Sequence, residues 1–165
     1  MTQAGVQATI EPVIAQKTQI DILNAEFSRI HERSCELAAL IPERQLFVKP
    51  ALGVRSSGEN LLRSAAAVEQ TFGGIMARLW DDPFEWTLPE ELDTNEKVLE
   101  YLNEVESTRN KGFVYFKSDV ELSRLIPAPI EYVSLFELLL QTISRASYFQ
   151  GRAEAVYLLV SAADL

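Results

Sequence analysis

Apolar residues along this chain recur at alternating steps of three and four in separate stretches, which is the period of an α-helix with one buried face. Four such stretches predict helices over about 19–40, 57–79, 94–118 and 134–160. The second has the most regular stripe, and its four–three spacing is typical of a helix-bundle seam. That stripe consists of Leu61, Ala65, Val68, Phe72, Ile75 and Leu79.

Polar and small residues indicate where these helices begin and where they are locally destabilised. Ser57 is a candidate N-cap for the second helix, and Asp93 or Thr94 is one for the third. Gly73 and Gly74 weaken the second helix near its end. They indicate either a kink or the close approach of a neighbouring helix.

Prolines interrupt the pattern between the helices. The segments 42–56, 81–89 and 119–132 each contain two prolines and no helical period, so they are predicted to be connections over the surface. The β-like run 112–116 has no partner run, and a single strand cannot satisfy its own backbone groups. The sequence therefore predicts an all-α four-helix bundle in one domain, 19–165, after a flexible N-terminal segment, 1–18.

Charge and residue counts exclude several classes of function. The formal net charge is −9, which disfavours binding to the phosphate backbone of nucleic acid. Cys35 is the only cysteine and His31 the only histidine, so neither an intramolecular disulfide nor a cysteine-based zinc site is available. We find no signal peptide, and the apolar stretches fall short of the roughly 20 residues of a membrane span. These observations favour a cytoplasmic protein that does not enter a membrane.

Two segments carry a resemblance to a known family. The first segment is the start of the second helix, SSGENLLRS at 56–64, with Glu69 and then the ARL sequence at 77–79. The second is LLLQTISRASYFQGR at 138–152, in the last helix. With these segments and the order of its helices, the chain resembles the DinB-like (DinB/YfiT) superfamily. The resemblance implies a four-helix bundle with a metal held by one histidine from helix two and two from helix four, and it implies a homodimer.

The positions that correspond to those three histidines are Ser64, Arg145 and Phe149. Arginine would repel a metal ion and phenylalanine has no donor atom. We therefore expect no metal, no other cofactor, and none of the thiol-transferase or hydrolase-like chemistry of some relatives.

Without the metal, the corresponding cavity has other candidate occupants. One hypothesis is an ion pair between Arg145 and Glu69. The alternatives are that Arg145 anchors an anionic ligand such as a carboxylate, or that it lies at the surface. The residues proposed to line this cavity are Ser64, Glu69, Gln141, Arg145, Tyr148 and Phe149.

Three functions remain open at this point. The first is a metal-free protein that binds a small molecule or a protein partner. The second is an enzyme with relocated chemistry that uses Arg145, Glu69 and Tyr148. The third is a dimeric interaction module with a filled core. The aromatic cluster Trp80, Phe84 and Trp86 is interpreted as a cover over the end of the core, with an interface as the alternative that this module would use. Cys35 and His31 are interpreted as structural.

Overall fold

The computed structural model describes residues 16–83 and 91–163. Within them the helices are α1 (Thr18–Leu40), α2 (Glu43–Leu46), α3 (Ser57–Ala77), α4 (Asn95–Val114) and α5 (Leu135–Ala163). A 3-10 helix (Asp119–Ser123) and two short strands, β1 (Leu125–Pro127) and β2 (Tyr132–Ser134), lie between α4 and α5.

The four long helices form a bundle in which each packs against two neighbours. α3 packs against α5 and α4, and α1 packs against α4 and α5, so the order around the bundle is α1, α4, α3, α5. Their apolar faces meet in one core that includes Phe27, Phe72, Phe113 and Phe116. The Phe27 and Phe72 rings meet edge to face, with centroids 5.5 Å apart. The predicted all-α helical-bundle fold is therefore confirmed.

A row of hydroxyl groups joins α3 to α5. The Ser57 hydroxyl donates to the Ala153 carbonyl at 3.0 Å, and the Ser64 hydroxyl donates to the Ala146 carbonyl at 2.9 Å. Seven residues further along α3, the Thr71 and Thr142 hydroxyl oxygens are 2.6 Å apart. A serine hydroxyl reaches a carbonyl of a neighbouring helix only if the two backbones lie close together, and the small side chains permit that approach. We call these contacts the hydroxyl seam.

Both ends of α1 are capped by residues distant in sequence. The side chain of Lys17, the N-cap residue of α1, makes no capping hydrogen bond. Instead, the Asp119 carboxylate accepts hydrogen bonds from the backbone N–H groups of Gln19 and Ile20. At the other end, the Asn95 side-chain amide donates to the carbonyls of Ala38 and Ile41. α1 is thus fixed by the first residue of α4 and by the 3-10 helix that follows α4.

Arg109 is a charged side chain buried between α4 and α1, with only 1% of its surface exposed. Its guanidinium donates to the Glu106 carboxylate and to the side chains of Asn24 and Ser28 on α1. It also lies 5.4 Å from the Phe113 ring centroid. These partners satisfy a charge that would otherwise be costly to bury.

Several predicted helix ends shift by one to four residues. Ser56, not Ser57, is the N-cap of α3, because Ser56 forms a reciprocal capping box with Glu59 while Ser57 turns inward. α3 ends at Ala77, so Leu79 is 61% exposed and does not extend the seam as predicted. Thr94 caps α4 as predicted, but that helix ends at Val114 rather than near residue 118.

The connections contain more regular structure than the sequence indicated. α2 is one helical turn within 42–56, and it buries Leu46 completely. The segment 119–132 connects α4 to α5 as predicted, but the expectation of a chain without strands was wrong, because β1 and β2 pair as an antiparallel hairpin with Ile126 opposite Val133. Three-residue strands are too short to show an alternating pattern, which explains why they were not predicted. The run 112–116 is not a strand: it continues α4 as far as Val114.

No helix in the described ranges is long and apolar enough to cross a membrane.

The cap supplied by Asp119 gives the first testable prediction. Asp119→Ala should lower the free energy of unfolding by about 1–2 kcal/mol, because it leaves the Gln19 and Ile20 N–H groups without their acceptor. Asp119→Asn keeps one side-chain acceptor and should lose less. Urea denaturation followed by circular dichroism measures both, and equal losses for the two variants would contradict the capping role.

The threonine pair of the hydroxyl seam gives a second prediction. The Thr142 hydroxyl donates to the Leu138 carbonyl at 2.8 Å, so Thr71 must be the donor to Thr142. Thr142→Val leaves the Thr71 donor buried without its acceptor and should cost about 1–3 kcal/mol of unfolding free energy. Thr71→Val removes a donor only and should cost less.

The double variant Thr71→Val/Thr142→Val removes both partners and should lose less stability than the sum of the two single variants. Thr108→Val, at a half-buried threonine on α4, is the matched control for the chemical change. Strict additivity of the two losses in a double-mutant cycle would contradict the hydrogen bond between the threonines, and a Thr71→Val loss as large as that of Thr142→Val would contradict its assigned direction.

Candidate functional site

The six residues predicted to line one cavity lie in different surroundings. Ser64 faces the bundle interior, as expected, and its hydroxyl belongs to the hydroxyl seam. The interior cavity beside it has a volume of only about 20 Å³. That space holds about one water molecule and no organic ligand. Its other lining residues include Phe27, His31, Ser34, Val68 and Glu106.

Glu69 does not pair with Arg145. Its carboxylate accepts a hydrogen bond from the Tyr101 hydroxyl of α4 at 2.6 Å. Arg145 lies on α5, and both of its hydrogen-bond acceptors are on α3: the Gln70 side-chain oxygen at 3.0 Å and the Ala67 carbonyl at 3.3 Å. The hypothesis of an Arg145–Glu69 ion pair is therefore wrong. Adjacent residues on α3 point to different neighbouring helices, and Gln70, not Glu69, faces α5.

Tyr148 and Phe149 lie apart from the interior as well. Tyr148 is 57% exposed and accepts a hydrogen bond from Arg152 at 2.7 Å, on the solvent side of α5. Phe149 borders a small cleft of about 110 Å³ together with Arg145, Arg63 and Asp82. The three positions compared with the histidines of the DinB-like superfamily therefore do not share one site: Arg145 and Phe149 border this cleft, whereas Ser64 faces the interior cavity.

A larger cleft lies at the end of the bundle where α3, α5 and the hairpin meet. Its volume is about 300 Å³, and it is open to solvent on one side. The predicted residues Arg145 and Gln141 line it, together with Gln70. Its apolar wall comprises Trp80, Pro129, Ile130, Val133 and Leu138. We refer to it as the hairpin cleft.

Trp80 and Gln70 hold one wall of the hairpin cleft in place. α3 ends with Arg78 in the left-handed conformation, which turns the chain back along the helix. The Trp80 ring then lies directly on Gly74, where a Cβ atom would come within 2.3 Å of it. Gln70 donates to the Trp80 carbonyl at 2.8 Å while accepting from Arg145. Gly74 thus permits a close approach, as its position suggested, but by a returning loop rather than by a helix.

Arg145 is the only Lys or Arg among the residues that line the hairpin cleft. Partial burial lowers the pKa of its guanidinium, and the Asp82 carboxylate opposes that shift. Both of its acceptors are neutral, and in the described ranges its Nε and Nη1 groups donate to no acceptor. A partly desolvated cation with unused donors is suited to binding an anion.

The hairpin supplies the opposite wall, and the sequence did not predict it. A hydrogen bond from the Ala128 N–H to the Glu131 carbonyl closes its turn, and Ile130 at the tip is 96% exposed. Gln70, Trp80 and the hairpin residues could not be assigned to the site from the sequence. The one feature of the sequence that marked this region was the pair of prolines within 119–132, which predicted a connection between helices.

Metal-binding and nucleophilic groups are sparse in the described ranges. Residues 16–83 and 91–163 contain no group of three or more His, Cys, Asp or Glu side chains that could hold a metal ion. The Cys35 sulfur lies 3.6 Å from His31 Nε2, but burial and the nearby Glu106 charge raise the pKa of the thiol. Cys35 is therefore protonated near neutral pH and is a poor nucleophile. Phe84 and Trp86 of the predicted aromatic cluster lie outside the described residues.

Comparison with known proteins identifies the architecture. No protein-family model matches the chain, and no curated protein matches it either. A solved structure described as a conserved protein of locus from Enterococcus faecalis has the same fold, with a TM-score of 0.67. The likeness covers 89% of this chain and 98% of the other, at 18% sequence identity. At that identity it shows the fold alone.

Proposed function

We propose that this protein is a metal-free helical bundle that binds a small anionic molecule in the hairpin cleft. The supporting observation is Arg145: a solvent-exposed cation in the wall of the cleft, partly desolvated by its neighbours, with neutral hydrogen-bond partners and unused donors. The resemblance to the DinB-like family is retained as part of the proposal, with a divergent site in place of the metal centre.

The lining of the cleft restricts the chemistry of the ligand. A carboxylate fits the planar guanidinium of Arg145, and the side-chain amide of Gln141 is a second polar group in the wall. The apolar residues, from Trp80 to Leu138, favour a hydrocarbon or aromatic body. Among the described residues of the lining, Glu131 is the only acidic one, and it disfavours a second negative charge. We therefore infer a monocarboxylate with an apolar body as the ligand class.

The size of the cleft is consistent with a small molecule. A volume of about 300 Å³ lies at the lower limit of typical ligand sites. The interior cavity, at about 20 Å³, is too small for such a molecule. We therefore place the site between the bundle and the hairpin rather than within the bundle.

An enzyme that uses Arg145, Glu69 and Tyr148 receives no support from the geometry. Glu69 contacts α4, Tyr148 lies on the outside of α5, and Arg145 contacts α3. General acid–base chemistry requires such groups within hydrogen-bond reach of one substrate. We therefore retain ligand binding without an assigned reaction. The acidic surface argues against nucleic acid as a partner, and the cytoplasm remains our inferred compartment.

The test is calorimetric titration with matched ligand pairs: phenylacetate and 3-phenylpropionate against their neutral amides. The carboxylates should bind with one site per chain and the amides far more weakly. Arg145→Met should reduce carboxylate affinity about tenfold or more, because a charge-assisted hydrogen bond contributes about 1.5–3 kcal/mol. Arg55→Met removes the same charge at an exposed position outside the cleft and should leave binding unchanged.

Either of two results would contradict the proposed site: no saturable binding of any carboxylate, or binding that Arg145→Met leaves intact. Metal is tested separately. Nickel and zinc titrations of untagged protein should produce neither stoichiometric binding nor a change in melting temperature, since Ser64, Arg145 and Phe149 cannot replace three histidines. Tight stoichiometric metal binding would overturn the metal-free part of the proposal.

A further inference from the structure

Gly74 holds the indole ring of Trp80 flat against α3. A Cβ atom built on Gly74 would be almost equally distant from Cδ2, Cε3 and Cζ3 of Trp80, three neighbouring atoms of its six-membered ring. Points equally distant from three atoms of a planar ring lie on the axis through its centre, so Gly74 covers one face of the ring rather than its edge. Trp80 is half-buried and lines the hairpin cleft. The opposite face of the indole is therefore the side on which the ring can meet a ligand.

Gln70 connects this tryptophan to the cation of the cleft. One end of its side-chain amide donates to the Trp80 carbonyl at 2.8 Å, and the other end accepts from Arg145 at 3.0 Å. A single side chain of α3 thus sets the spacing between the Arg145 guanidinium and the residue that carries the indole. Because these hydrogen bonds already order both groups, a ligand that matches the spacing loses less free energy to ordering the site.

The hairpin supplies an apolar group on the other side of the cleft. Ile130 lies at the tip of the hairpin, is 96% exposed and lines the cleft. Almost all of its apolar surface contacts water, so burial of that surface against a ligand is favourable. A flat ring between Trp80 and Ile130 would have an apolar contact on each of its two faces.

We propose that Trp80 selects an aromatic monocarboxylate as the ligand, with the carboxylate bound to Arg145 and the aryl ring stacked on the opposite face of the indole. This inference rests on the proposed function, because it narrows the ligand class of the same cleft. Offset-stacked aromatic rings attract each other beyond the apolar area that they bury. A saturated six-membered ring lacks this attraction, although it is at least as hydrophobic. Trp80 is therefore the specificity-determining residue of the cleft.

The experiment is calorimetric titration of the full chain with phenylacetate and with cyclohexylacetate, which share the carboxylate, the linker and a six-membered ring. The wild-type protein should bind phenylacetate about three- to tenfold more tightly than cyclohexylacetate. Trp80→Leu should remove this preference, because leucine provides apolar surface without an aromatic face. Both ligands should still bind that variant through Arg145.

Gly74→Ala tests the orientation of the ring and keeps the tryptophan. The added Cβ atom would collide with the ring face, so the indole must turn away from α3 and the preference for phenylacetate should disappear. Gly151→Ala is the matched control, because it makes the same change within a helix, in open space and outside the cleft. It should keep the wild-type preference. If Gly74→Ala lowers the melting temperature, Trp80→Leu decides the question.

Nuclear magnetic resonance detects the stacking directly. Bound phenylacetate should shift the indole ring protons of Trp80 upfield through its ring current, whereas cyclohexylacetate should not. Trp86→Phe leaves Trp80 as the only tryptophan and so identifies its signals. Arg145-dependent binding without a preference for phenylacetate, or with a preference that survives Trp80→Leu, would overturn the inference and leave the proposed function intact. Absence of saturable carboxylate binding would overturn both.

Discussion

The close contact between α3 and α5 is the constraint on which the rest of the structure depends. Serine hydroxyls at Ser57 and Ser64 reach carbonyls of α5 directly, and Thr71 reaches Thr142. A larger residue at any of these positions would separate the helices and break the hydrogen bonds of its neighbours on the seam. Because this contact extends along most of α3, it fixes the position of α5 along the helix axis relative to Gln70 and Trp80. The hairpin cleft lies at the end of the seam, so its width follows from the same contact.

α5 thus has different roles on different sides. Its inner side fills the core, the side toward α3 carries Arg145 into the hairpin cleft, and its outer side faces solvent. The 3.6-residue period of the helix permits this division, because residues three or four apart stay on one side while those between them point elsewhere. A single 29-residue helix can therefore connect the core and the proposed ligand site.

The sequence predicted the long helices because their apolar period persists over many turns. It predicted the inward position of Ser64 for the same reason. The apolar period could not decide whether Glu69 or Gln70 is the partner of Arg145. Adjacent residues differ by about 100° around a helix, and the buried seam of α3 lies between these two positions. Trp80 and the hairpin contribute to the cleft through a chain reversal at Arg78 and through three-residue strands, and neither has a periodic pattern. The bundle was predictable from local pattern, whereas the cleft depends on contacts between connections.

The distant caps of α1 have a consequence for how the chain can be divided. Asn95 and Asp119 follow α1 by more than fifty and nearly eighty residues, and each occupies one end of that helix. During synthesis α1 emerges first but lacks both caps until the region around α4 has left the ribosome. A fragment that ends before Asn95 would carry the complete α1 sequence with its terminal N–H and C=O groups left to water. The first helix of this protein is therefore completed by the second half of the chain, and α1 and α4 are best treated as inseparable when fragments are designed.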